Sequence, residues 1–220
     1  MRQRILQPEA LYEEAAREIR ELIGEKPDAV IAMAAGRTMI PLYEKLAETD
    51  FSGVSFFQVA EFLNCPEDRT LRAMTALPLS PENCFWLTEE TVQNFDRHIE
   101  EAGGLDLIVL GIGDNAHIGL NEPATQFDTR CRRQKLTEKT RNQYSWRFAG
   151  EEQTPQYGLT MGIRTICEAK RILVLAVGAE KTKAVFDMFY ARNDSVIPAA
   201  FLQIPADVTV YADPEAAAKL

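Results

Sequence analysis

Residues Leu105–Leu110 (LDLIVL) run without a break into Gly111-Ile-Gly-Asp-Asn-Ala-His-Ile-Gly-Leu-Asn-Glu-Pro123. The near-continuous apolar run reads as a strand buried on both faces, the kind found inside a parallel sheet. The glycines at 111 and 113 let the backbone turn sharply and approach a ligand. A histidine and an acid follow, so polar chemistry sits just past the carboxyl end of a strand. Open α/β sheets bind their ligands there.

The same alternation continues outward in both directions. Leu11, Ala15, Ile19, Leu22 and Ile23 recur at helical spacing between Pro8 and Gly24, which predicts an amphipathic first helix. Asp28–Met33 (DAVIAM) reads as a strand, Ala34-Ala35-Gly36 as a tight turn, and Thr38–Glu48 as a helix. Val54–Val59 (VSFFQV) is a second strand, and Asn64–Asn83 reads as an irregular excursion. Thr88–Glu101 is helical, with Val92, Phe95 and Ile99 on one face. After Pro123 the chain is polar and basic (Arg130, Arg132, Arg133, Lys135) up to Gly150, and Pro155 suits the first turn of a helix running to about Glu168. Arg171–Val177 (RILVLAV) is a further buried strand, Gly178 turns, Glu180–Ala191 is a helix, and Val208–Tyr211 (VTVY) is the last strand. Strands alternating with helices predict an α/β fold: an open, mostly parallel sheet with helices on both faces, Rossmann-like and three-layered, formed by residues 1–220 as a single domain.

Composition narrows the function classes. The chain has 220 residues, 46% hydrophobic and 26% charged, ordinary for a globular domain. A net charge of −9 argues against an extended nucleic-acid surface, which needs clustered Lys and Arg. A small anionic ligand stays open, because a few local cations outweigh the global charge. No run approaches the roughly 18 apolar residues that would span a bilayer, and Met1–Leu11 has no apolar run of a leader. The four cysteines, Cys65, Cys84, Cys131 and Cys167, lie far apart with no CxxC pair. That favours free thiols over zinc or a disulfide framework. The expectation is a cytoplasmic protein with no membrane partner, no cofactor and no metal.

Within Gly111–Pro123, His117 is one of only two histidines and can exchange protons near neutral pH. Glu122 lies five residues on, within reach if the segment folds back. It is expected beside the imidazole, raising its pKa by opposite charge. Three further strand ends carry suggestive groups: Gly36-Arg37-Thr38, Ala60-Glu61, and Gly178 to Lys181. Gly36, Arg37 and Thr38 at a helix start, with Arg147 and Lys181, are expected to converge with His117 on one anion-binding pocket.

The segment GIGDNAHIGLNEP resembles the signature of the glucosamine-6-phosphate deaminase/isomerase family, galactosamine-6-phosphate isomerase-like members included. The resemblance extends, in order, through Gly36-Arg37-Thr38 and Tyr43-Glu44-Lys45-Leu46, Val54-Ser-Phe-Phe57, Leu136-Thr137, Thr140-Arg141, Arg147-Phe148, Pro155–Gly162, Gly178–Lys181 and Leu202-Gln203. The wider superfamily holds 6-phosphogluconolactonases, which share the glycine-rich strand end and its histidine. The Asn121-Glu122-Pro123 ending favours the aminosugar branch. The resemblance implies that His117 assists sugar ring opening with Glu122 as acidic partner. It further implies that Gly36 and Thr38 form a phosphate loop, and that Arg147 and Lys181 are cationic phosphate ligands.

The departures bear on activity. Asn115 stands where the family has Asp and Ala116 where it has Gly. Ala60 stands where the family's Asp carries the proton between C2 and C1. Glu61 is adjacent, but neighbouring strand residues point to opposite faces, so it can replace that base only if the strand end rotates. Arg37 replaces a glycine of the phosphate loop and crowds the ligand or adds a contact. Of the family's allosteric pocket, Thr125 and Arg132 persist, while Gln134 stands where Lys is expected.

The expected function is an isomerase/deaminase, slow for want of these acids, that turns glucosamine- or galactosamine-6-phosphate into a ketose 6-phosphate and ammonia. The alternatives are a sugar-phosphate-binding or regulatory protein without turnover, and a 6-phosphogluconolactonase-like hydrolase. The chain ends soon after the last strand, so a monomer or homodimer is expected.

Overall fold

The computed structural model describes residues 1–64, 69–148 and 153–220, without the side chains of Arg69 and Thr70; Cys65 therefore lies outside the described residues. In chain order the elements are β1 (Arg2–Ile5), α1 (Pro8–Glu25), β2 (Val30–Met33), α2 (Ile40–Leu46), β3 (Ser55–Gln58), β4 (Ala60–Phe62), α3 (Arg69–Thr75), β5 (Cys84–Phe85) and α4 (Phe95–Glu101). There follow β6 (Leu107–Gly111), β7 (Arg132–Lys135), α5 (Glu138–Tyr144), β8 (Tyr157–Thr160), α6 (Ile163–Cys167), β9 (Ile172–Ala176), α7 (Thr182–Tyr190) and β10 (Val208–Ala212).

Seven strands form one sheet in the order β1-β10-β9-β6-β2-β3-β5, and every pairing in it is parallel. Alternation along the central strands divides the core in two. Ile31, Met33, Leu107, Val109, Leu173 and Leu175 face α1 and α2, through Leu11, Ala15, Ile19, Leu42 and Leu46. Val30, Ala32, Ile108, Leu110, Ile172 and Val174 face the other way, onto Phe95, Ile99, Ile163, Ile166, Val185 and Met188 of α4, α6 and α7. Both faces of each central strand are thus dry, which is why these strands read as apolar runs rather than as alternating ones. The α/β class with helices on both faces is as the alternation implied.

Chain order reverses between β2 and β6: β3 lies beyond β2 on one side, β9 beyond β6 on the other. The loops leaving these two strands therefore diverge and open a crevice at their carboxyl ends, the usual ligand position in such sheets.

Several strands were not legible in the sequence. β1 is a polar edge strand, with all four side chains exposed, and shows no hydrophobic pattern. β4, β8 and β7 form a second, antiparallel sheet in that order. The helix expected from Pro155 to Glu168 is instead β8 followed by the short α6. Tertiary contact overrides the helical spacing here. A Cβ on Gly158 would lie 2.3 Å from Leu120 Cδ1 and 2.9 Å from the Glu61 carbonyl, so the glycine lets β8 press against β4. The expected helix over Thr38–Glu48 is likewise split, into a 3-10 turn at Arg37–Met39 and then α2. The irregular stretch Asn64–Asn83 contains α3 and a 3-10 turn at Pro81–Asn83.

Candidate active site

The crevice holds a cavity of about 240 Å³. Its wall includes Gly36, Arg37 and Thr38 after β2, Ala60 and Glu61 of β4, Gly113, Asp114 and His117 after β6, Arg147 before β8, and Lys181 after β9. Every residue expected at the phosphate end is therefore on one wall with His117. Asn115 and Glu122 stand one layer behind the imidazole.

The loop after β6 turns tightly on itself. The Gly113 amide donates to the His117 carbonyl at 2.9 Å, and the Ala116 amide to the Gly113 carbonyl at 2.9 Å. Ala116 takes a positive φ of 61° to close this turn, a conformation that costs a residue with a Cβ about 1–2 kcal/mol. A Cβ on Gly113 would fall 2.3 Å from both Cε1 and Nδ1 of His117, so only glycine leaves room for the ring.

His117 is 2% exposed. Its Nδ1 lies 2.6 Å from Asn115 Oδ1, and Asn115 Nδ2 donates to Glu122 Oε2 at 3.2 Å. Glu122 also accepts from the Thr137 amide at 3.0 Å and the Thr137 hydroxyl at 3.2 Å. Thr137 caps α5, its hydroxyl accepting from the Thr140 amide. A carboxylate takes only donors, which orients the Asn115 amide with its oxygen toward the ring. That oxygen carries no hydrogen, so Nδ1 holds the proton. Nε2 keeps its lone pair, with the Tyr144 hydroxyl 3.4 Å away.

The expected raised pKa for His117 is corrected. Burial pushes it down, to about 4, and outweighs the attraction of Glu122, which acts in the expected direction. Glu122 is not against the ring, because Asn115 stands between them.

Glu61 also departs from expectation, since its residue lines the same cavity as Ala60. Its carboxylate is engaged: Gln58 Nε2 donates to it at 3.0 Å, the Phe62 amide at 2.8 Å, and Arg147 lies 3.4 Å away. The Arg147 guanidinium sits 5.3 Å over the Phe62 ring, and its side chain is 1% exposed. Lys181 is buried in the 3-10 turn Ala179–Lys181, and desolvation pushes its pKa down. Gly178, with φ of 100°, aims that turn, and its amide is held by Asp213. Arg37 is exposed, with its guanidinium carbon 4.2 Å over the Trp146 ring.

Thr125, Arg132 and Gln134 are also brought together. Arg132 donates to Gln134 at 2.7 Å, to Thr125 at 3.5 Å, and to Asn121 at 2.9 Å. Residue-type reasoning missed Asp114, Gln143, Tyr144 and Trp146 on the cavity wall. The aromatic pair immediately before Arg147 was the available signal. Among the described residues there is no group of three or more His, Cys, Asp or Glu that could hold a metal ion, and Cys84, Cys131 and Cys167 are free thiols. No described helix is long and apolar enough to cross a membrane.

A family model of glucosamine-6-phosphate isomerases/6-phosphogluconolactonases matches residues 7–211. The chain belongs to this family. A glucosamine-6-phosphate deaminase of Clostridium botulinum is 35% identical over 230 residues, covering 96% of this chain and 92% of that one. One of Thermoanaerobacter pseudethanolicus is 33% identical, covering 95% and 90%. A solved structure of a monomeric glucosamine-6-phosphate deaminase superposes with a TM-score of 0.92 at 31% identity, over 99% of both chains. A 6-phosphogluconolactonase of Leishmania guyanensis shares the fold, with a TM-score of 0.79 at 18% identity, over 100% of this chain and 98% of that one. The superposition on that deaminase extends the family likeness to the whole fold.

Proposed function

We propose that the protein is an aminosugar-phosphate isomerase/deaminase, converting a 2-amino-2-deoxyhexose 6-phosphate to a ketose 6-phosphate and ammonia. One observation carries this: His117, backed by Asn115 and Glu122, and the Gly36–Thr38 loop with Lys181 face a single cavity of about 240 Å³. The curated deaminases that the chain matches along almost its whole length support it.

In this proposal the neutral imidazole takes the proton of the anomeric hydroxyl at Nε2. It returns a proton to the ring oxygen as the C1–O5 bond breaks. Asn115 holds Nδ1–H and so keeps Nε2 available throughout. The backbone amides at the start of the 3-10 turn Arg37–Met39, with Lys181, receive the 6-phosphate. Isomerisation then moves a proton from C2 to C1, and water releases ammonia from the resulting imine. The 220 residues act as one domain, without metal or cofactor, as a cytoplasmic monomer or homodimer.

The position lining the C2 side of this scheme is Ala60, a methyl group that takes no proton. That favours a second possibility, a sugar-phosphate-binding protein that opens the ring without isomerising it. Incubation with glucosamine 6-phosphate and galactosamine 6-phosphate, read by ammonia and ketose 6-phosphate release, decides between them. Thermal stabilisation by these sugars with no ammonia marks the binding protein. The absence of both stabilisation and turnover overturns the sugar-phosphate proposal.

A further inference from the structure

One short helix reaches both sides of the His117 imidazole. Before its first turn, Thr137 donates its amide and hydroxyl to Glu122, the acid that orients Asn115 against Nδ1. At its last residue, the Tyr144 hydroxyl lies 3.4 Å from Nε2. α5 runs from Glu138 to Tyr144, about 10 Å at the rise of an α-helix, which is length enough to bracket the ring. Tyr144 lines the cavity, and its ring packs against Phe62 with centroids 5.0 Å apart. Ring opening by the imidazole alone leaves this phenol without a task.

Nε2 carries a lone pair, so the phenol is the donor of this pair. At 3.4 Å the contact is long for a hydrogen bond, as catalytic contacts often are before substrate arrives. The two oxygens that ring opening acts on, the anomeric hydroxyl and the ring oxygen, are bonded to the same carbon. A base for the first and an acid for the second must therefore stand side by side, and Nε2 and the phenol do. A lone imidazole would have to swing from one oxygen to the other, yet Asn115 holds its Nδ1 at 2.6 Å. Burial pushes the Tyr144 phenol up to about 12, so it keeps its proton at neutral pH, while the charge of Arg147 pulls the other way and favours the phenolate.

We propose that Tyr144 is a second catalytic residue of ring opening, the acid that protonates the ring oxygen while His117 takes the anomeric proton. Nε2 takes the proton of O1, the electron pair left on O1 completes the C1=O1 bond, and the C1–O5 pair departs with O5. O5 takes the Tyr144 proton, and the imidazolium returns its Nε2 proton to the phenolate. Protons and charge balance, and both residues end as they began. The inference rests on the sugar-phosphate proposal above and routes through Tyr144 the proton that His117 returns to the ring oxygen.

The test is anomer exchange of glucosamine 6-phosphate, read by NMR magnetisation transfer between its α and β forms. It compares wild type, Tyr144→Phe, His117→Gln and the double variant His117→Gln/Tyr144→Phe, with affinities measured alongside. Tyr144→Phe keeps the ring against Phe62 and removes one oxygen. It is expected to slow the protein-catalysed exchange by about 10²-fold or more, the effect of losing a positioned acid. Affinity for glucosamine 6-phosphate should stay within about threefold of wild type. By ¹⁵N NMR, His117 should remain protonated at Nδ1, because Asn115 holds that tautomer. The double variant should exchange no more slowly than His117→Gln alone, since the two groups act as one relay.

Exchange by Tyr144→Phe at the wild-type rate overturns this inference and leaves the sugar-phosphate proposal standing. So does slowed exchange that comes with an Nε2-protonated His117 or with a proportional loss of affinity, which would make the phenol a support for the ring or a binding contact. Slowing by Tyr144→Phe that persists undiminished in the His117→Gln background overturns it too. Wild type that binds glucosamine 6-phosphate without speeding its exchange overturns this inference together with the ring-opening step. Wild type that does not bind it overturns the sugar-phosphate proposal as well.

Discussion

Asn115 Oδ1 accepts the proton of His117 Nδ1 at 2.6 Å, and the same amide donates to Glu122 at 3.2 Å. An amide passes orientation from the acid to the imidazole without bringing the charge into contact. The ring is therefore held in one tautomer while burial keeps it neutral. ¹⁵N NMR should show a neutral His117 protonated at Nδ1 across the neutral range; a ring protonated at Nε2 would refute the arrangement. Asn115→Asp puts an anion against Nδ1 and should raise the His117 pKa, measured by the same titration.

The depressed pKa of His117 has a consequence for stability. The folded value, about 4, lies below the ordinary 6.5, so the unfolded chain binds the proton first as pH falls. The buried neutral ring costs nothing above pH 6.5. Stability is lost as pH drops from there toward about 4, by an amount on the order of 3 kcal/mol for this group alone. Denaturant unfolding at neutral pH and near pH 4.5 should show the loss, and His117→Gln should flatten that part of the profile. An equal slope in both proteins would show that the imidazole is not the group responsible.

Gly113 offers a steric test of the loop. A methyl there would sit 2.3 Å from the imidazole, too close for any rotamer to absorb. Gly113→Ala should displace His117 from Asn115, cost about 1–3 kcal/mol as overpacking does, and lower turnover on the order of 10²-fold. A variant with wild-type melting temperature and an unchanged His117 titration would mean that the ring is not fixed by this contact.

The dry strands β2, β3, β6, β9 and β10 were legible because each is buried on both faces and so reads as an apolar run. Gly36–Thr38, His117 and Lys181 were legible as a set because parallel strands carry their ends to one side of the sheet, whereas Arg147, in the turn before antiparallel β8, was singled out by the resemblance. What failed was whatever depends on neighbours distant in sequence. β4, β8 and β7 are short, and only their mutual pairing defines them. Residues on opposite faces of an ideal strand, Ala60 and Glu61, both reach the cavity wall because β4 is only three residues long. The direction of the His117 shift was missed because spacing reveals Glu122 but not the dryness of the site, and burial is the larger effect.

In the proposed reaction, Ala60 and Glu61 are the residues that should set how fast carbon chemistry runs. The resemblance implies a carboxylate at position 60, where the cavity wall carries only a methyl. The adjacent carboxylate, Glu61, is already engaged by Gln58, the Phe62 amide and Arg147. Loss of a positioned base costs about 10²–10⁴ in rate. Ring opening, assigned above to His117 as a proposal, should survive, whereas C2–H exchange should be slow. In D₂O with glucosamine 6-phosphate, NMR should therefore show anomer interconversion faster than loss of the C2 proton. Ala60→Asp should speed that loss by at least about 10²-fold and bring ammonia release with it. Wild-type exchange at rates typical of enzymes, about 1–10³ s⁻¹, would mean that a group other than residue 60 is the base. The first variant to make would then be Glu61→Gln, whose loss of exchange would identify the carboxylate held by Arg147 as that base.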